Sequence, residues 1–97
     1  MRPLKVAFRP EAANDLAAIF GYVLEISRNR TIATGFVLRL WERCERIGNA
    51  PHAGRPRDDL APGLRTFPFE KSAVIAYKID GDLVQITNIF CPEDAPV

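Results

Sequence analysis

The chain's one histidine, His52, lies in a stretch from Pro51 to Arg65, PHAGRPRDDLAPGLR, together with Arg55, Arg57 and Arg65 and the carboxylates of Asp58 and Asp59. An imidazole among guanidinium groups suits two kinds of chemistry. Cleaving a phosphodiester needs a base for the attacking hydroxyl, a donor for the leaving oxygen and cations on the phosphate as charge builds. His52 could move the proton and Arg65 could touch the phosphate. Docking on a partner needs only the cations, held where a carboxylate or phosphate can meet them. Asp58 and Asp59 can pair locally with two arginines, which leaves at least one guanidinium for another task. Either the arginines clamp the loop to itself, or they face outward.

The rest of the chain adds little to a catalytic reading. A lone histidine between Pro51 and Ala53 has no fixed acid or base partner in the sequence, and Tyr22 and Tyr77 fall in apolar elements where packing is the ordinary role. Ser27 and Ser72 lack histidine and acid partners, and Gly54, Gly63 and Gly81 make no phosphate-cradling pattern. Catalytic residues are therefore expected to be none. Cys44 and Cys91 stand far apart without a CxxC spacing or a histidine cluster, so they read as reduced thiols, with no metal and no cofactor implied. A net charge of +1 argues against a free-standing nucleic-acid binder. The amino-terminal residues show no cleavable leader and no run reaches the length of a membrane span, so a cytoplasmic protein is expected.

The elements that must position these residues follow from periodicity. At 97 residues the chain makes one domain, with 47% hydrophobic and 26% charged residues, too apolar for intrinsic disorder. Leu4 to Phe8 alternates as a short strand. Pro10 and Glu11 open a helix whose Ala12, Leu16, Ile19, Val23 and Ile26 share one face. Gly21 weakens it, a cost that close packing against a neighbour would explain. Asn29 or Thr31 can cap a second helix with Ala33, Val37, Leu40, Cys44 and Ile47 inward and Phe36 and Trp41 widening the stripe, stopped at Gly48. The short link makes an antiparallel helical hairpin, with Arg39, Glu42, Arg43, Glu45 and Arg46 as a solvated face.

Beyond the loop, Leu64 to Phe69 alternates as a strand with Arg65, Phe67 and Phe69 on one side and Pro68 at an edge or end. Phe67 and Phe69 are then either core beneath the helices or aromatic anchors for a partner, since one face cannot serve both. Ala73 to Ile79 and Leu83 to Phe90 form a hairpin about Asp80-Gly81, the signature of a type I′ turn. The tail from Cys91 to Val97 is expected to run over the surface. The order is β-α-α-β-β-β, an α+β fold with a helical hairpin on a largely antiparallel four-stranded sheet.

Three pieces taken in order, RPEAANDLAAIFGY, PHAGRPRDDLAPGLRTFPF and AVIAYKIDGDLVQITNI, resemble the ParE branch of the ParE/RelE toxin superfamily of bacterial type II toxin–antitoxin pairs, from Phe8 to about Ile89. The resemblance implies a small plasmid-stabilising toxin that inhibits DNA gyrase by binding and is neutralised by a ParD-like antitoxin. The RelE branch, which cleaves messenger RNA on the ribosome, is the alternative activity. One departure stands out. Where the ParE branch carries a motif like RVLHGARD, this chain has Asn88, Ile89, Phe90, Cys91, Pro92, Glu93 and Asp94, so an arginine and a histidine are replaced and the terminus turns acidic. That leaves a third alternative, an attenuated homologue that only binds its antitoxin. The residues expected to meet target or antitoxin are His52, Arg55, Arg57, Arg65, Phe67, Phe69 and Asn88.

Overall fold

The computed structural model describes residues 3–91; the expectation for the tail beyond Cys91 and the acidic pair Glu93 and Asp94 lie outside them. Two 18-residue helices, α1 (Pro10–Ser27) and α2 (Arg30–Ile47), pack on a sheet of β1 (Lys5–Phe8), β2 (Arg55–Pro56), β3 (Arg65–Phe69), β4 (Ala73–Asp80) and β5 (Leu83–Phe90). The sheet has five strands in the order β1-β5-β4-β3-β2, antiparallel except where β1 runs parallel to β5. The expected four strands are all there. The fifth, β2, comes from the proline-rich loop, where Arg55 pairs with Thr66 and Pro56 with Arg65. A two-residue edge ladder tolerates a proline because one side needs no donor.

Helix ends follow their sequences. Pro10 starts α1, and its N-cap Arg9 makes no side-chain cap. Asn29 caps α2, its Oδ1 accepting from the amides of Thr31 at 2.9 Å and Ile32 at 3.2 Å. Gly48 ends α2 for a reason the sequence hid. A Cβ there would sit 2.3 Å from the Leu4 carbonyl oxygen, because the chain crosses β1 closely enough for the Leu4 amide to donate to the Gly48 carbonyl at 2.8 Å. Gly21 has nothing within 4 Å of where a Cβ would stand, so close packing does not account for it.

The core lies between the helices and the near face of the sheet. Ile19, Leu40, Cys44, Phe69, Ile75, Tyr77, Val84 and Ile86 are buried there. Burial pushes the Cys44 thiol up to about 12, with nearby Glu45 adding to the shift. Phe69 is 2% exposed and meets Phe36 edge-on at 5.6 Å between ring centres. The near face of β3 is therefore the one that carries Phe67 and Phe69. Phe69 is core and presents no surface to a partner in this conformation, because the helical hairpin covers it. Phe67 is half-buried beneath the Arg43 guanidinium, 5.7 Å from the ring centre.

The turn between β4 and β5 differs from the one expected. Asp80 pairs with Leu83, so the β4–β5 connection is Gly81–Asp82 rather than Asp80-Gly81, with positive φ only at Gly81 (62°), the pattern of a type II′ turn. The type I′ pattern falls at Glu70 (φ 48°) and Lys71 (φ 56°), where neither residue is glycine. The Arg39 guanidinium grips Glu70 there, Nε to Oε2 at 3.0 Å and an Nη to Oε1 at 3.2 Å, across 31 residues of sequence.

Candidate functional site

The loop between α2 and β3 is built in two parts. Its first part, residues 51–54, rests on the near side of the sheet. The Tyr77 hydroxyl donates to the Pro51 carbonyl at 2.7 Å and accepts from the Gly54 amide at 2.9 Å. An Arg65 Nη donates to the carbonyls of Gly54 at 2.7 Å and His52 at 3.2 Å. Arg65 and Tyr77 are direct partners across β3 and β4, so their side chains leave the sheet on one face. Burial first of all raises the Tyr77 hydroxyl above its usual 10.0, while the Gly54 amide and Arg65 oppose the rise.

The second part, residues 57–64, turns over the edge toward the far face. The Arg57 amide donates to the Leu64 carbonyl at 2.7 Å, closing the segment on itself. Arg57 extends a two-pronged contact to Asp59, Nε to Oδ1 at 3.0 Å and an Nη to Oδ2 at 2.9 Å. The arginine side chain is 11% exposed and the aspartate 64%. The hydrogen bond from Arg57 is the main reason the Asp59 carboxyl sits below its usual 3.8, with Arg55 adding a little. Asp58 Oδ1 accepts from the Gly63 amide at 2.9 Å.

These contacts sort the residues singled out from sequence. Arg57 and Arg65 point into the loop and hold it. His52 and Arg55 point out, and among the described residues the His52 imidazole makes no hydrogen bond. Asn88 lies on the far face, opposite Ala76, in a shallow bowl of about 370 Å³ bounded by Leu60, Leu64, Lys78 and Phe90. So the seven residues do not converge on one point: His52, Arg55, Arg57 and Arg65 share the loop, Phe67 and Phe69 lie under the helices, and Asn88 belongs to the opposite face.

Tyr77, which its sequence assigns to packing alone, also holds the loop, and the signal is present in the sequence. In AVIAYKI it follows Ala73 and Ile75 at steps of two, which aims it inward, and a buried phenol must find partners for its oxygen. A second hollow, about 350 Å³, opens between α1 and the turn that joins β3 to β4, beside Ile19, Tyr22, Val23, Ile26, Phe36 and Lys71. Tyr22 is 45% and Ile26 66% exposed there. Among the described residues no three His, Cys, Asp or Glu side chains gather as a metal site, and no helix is long and apolar enough to cross a membrane.

A helical hairpin on a mixed sheet is a fold that this chain shares with solved structures of toxin–antitoxin systems. The chain superposes on a structure of the chromosomal ParDE TA system from P. aeruginosa with a TM-score of 0.78 at 22% identity, covering 91% of this chain and 95% of that one. It superposes on the toxin–antitoxin complex RelBE2 from Mycobacterium tuberculosis with a TM-score of 0.65 at 22% identity, covering 93% and 99%. In sequence it is 34% identical over 77 residues to Toxin ParE3 of Caulobacter vibrioides, covering 79% of this chain and 75% of the relative. The family model of the ParE toxin of type II toxin–antitoxin systems, parDE, matches residues 6–95. The chain belongs to the ParE toxin family of type II toxin–antitoxin systems.

Proposed function

We propose that the protein is a cytoplasmic toxin that acts by docking on DNA gyrase, without breaking a bond itself, and that a ParD-like antitoxin silences it. The observation that carries this reading is the division of labour in the loop. Arg57, through Nε and an Nη, and Arg65, through one Nη, hold it, while His52 and Arg55 are left on its outer surface. An exposed imidazole with no orienting partner is poorly prepared to take a proton in a set geometry. An exposed guanidinium on a braced loop is well prepared to meet a carboxylate or phosphate. The hollow between α1 and the β3–β4 turn, with Tyr22 and Ile26 exposed beside it, suits an amphipathic antitoxin segment.

The purified protein is expected to stop supercoiling by gyrase in vitro, with activity restored by the antitoxin encoded beside it, and to leave ribosome-bound message intact. Active gyrase at a micromolar excess of toxin rejects the target. Cut message rejects the non-catalytic reading and favours the RelE-like activity. Normal growth on expression without antitoxin leaves only an attenuated homologue.

A further inference from the structure

We infer that the Tyr77 hydroxyl and the Arg65 guanidinium are positioning residues, a paired latch that sets where His52 and Arg55 stand and so how well the loop docks. This rests on the reading that the loop's outer surface meets the target. Four hydrogen bonds run from two cross-strand neighbours to residues 51–54: Tyr77 takes one carbonyl and one amide, and Arg65 takes two carbonyls. Packing alone does not need this oxygen, since a phenylalanine ring would fill the same place. Tyr77 is 0% exposed, and its hydroxyl both donates and accepts, each time to this segment.

The loop has little else to fix it here. Within it, the Ala53 amide donates to the Ala50 carbonyl at 3.0 Å, and His52 and Ala53 are exposed. Gly54 is the seat of the latch. A Cβ on it would fall 2.2 Å from the Tyr77 hydroxyl oxygen and 2.7 Å from the ring, so the backbone lies flat against the phenol. One residue further, Arg55 enters β2 opposite Thr66. The bonds at Pro51, His52 and Gly54 therefore decide where the segment carrying the imidazole sits before the edge ladder begins.

The test is Tyr77→Phe, with Arg65→Lys as the second variant, because a lysine keeps the charge but is one bond too short to bring its nitrogen to the place where a single Arg65 Nη reaches both carbonyls. Amide hydrogen exchange reads the latch and gyrase supercoiling reads its consequence. In Tyr77→Phe the Gly54 amide should exchange about tenfold faster, the scale of one lost hydrogen bond, while the β4–β5 ladder keeps its wild-type protection. At the same temperature the concentration for half-inhibition of gyrase should rise about tenfold if positioning is what the bonds supply. Arg65→Lys should shift both in the same direction, and it carries the test alone if Tyr77→Phe does not fold. Unchanged Gly54 exchange overturns the latch. Faster exchange with unchanged inhibition, or loss of protection across β4 and β5, also overturns it, since the contacts would then be merely structural. If the wild type does not inhibit gyrase, the proposed target fails and the positioning role falls with it, while Gly54 exchange still decides whether the latch holds the loop.

Discussion

The two parts of the central loop are held by opposite physics. Residues 51–54 are pinned from below by a buried hydroxyl and a guanidinium that takes backbone carbonyls. Residues 57–64 are tied by an ion pair whose carboxylate is 64% exposed and by an aspartate that accepts from the Gly63 amide. The neutral bonds of the Tyr77 hydroxyl resist salt and moderate pH, whereas a solvent-facing ion pair is screened by one and titrated by the other. A loop braced in both ways keeps its outward residues in place although proline and glycine deny it a helix or a long ladder.

The largest blow to this contrast should come from Gly54→Ala. Forcing a Cβ into the Tyr77 ring should cost about 3 kcal/mol, the upper part of the range for overpacking, and a fall in denaturation midpoint checks it. Arg57→Ala should cost less than half as much and loosen only the second part, so exchange should quicken at the Leu60 amide, which donates to the Arg57 carbonyl, and not at Gly54. An equal effect on both would erase the distinction.

Titration should separate the two parts by sign. Asp59 is held below its usual 3.8 by Arg57, so its contribution is complete above that value and is lost as pH falls through the lowered one. Tyr77 is raised above 10.0 by burial, so its contribution is complete below that value and is lost as pH climbs through the raised one. Amide chemical shifts should therefore move at residues 57–64 in acid and at residues 51–54 in strong alkali. The smallest effect on stability belongs to Arg55→Ala, within about 0.5 kcal/mol as for an exposed side chain, measured by thermal melting against an expected clear loss of gyrase inhibition.

Much of the fold could be read from residue spacing, because the apolar stripes of α1 and α2, apart from the exposed Ile26 and Trp41, and the alternation of β4 and β5 are local patterns that the tertiary structure keeps. What escaped was non-local. β2 is made by its neighbour β3, so no propensity at Arg55 and Pro56 announces it. The β4–β5 turn slipped by one residue because within it Gly81 alone takes positive φ, and the left-handed backbone at Glu70 and Lys71, where Arg39 holds Glu70, has no glycine to announce it. In the loop, the abundance of arginine was legible but its direction was not. Whether Arg57 points outward or back depends on Asp59 two residues on, and Arg65 is drawn inward by carbonyls that only the folded chain brings near.

The parallel pairing of β1 with β5 has a bearing on when the molecule comes into being. Lys5 to Phe8 find their register only against Leu83 to Ile86. During synthesis the first strand must wait, unzipped, until almost all that follows has left the ribosome, and a truncated product halted before β5 would lack the strand that joins β1 to β4.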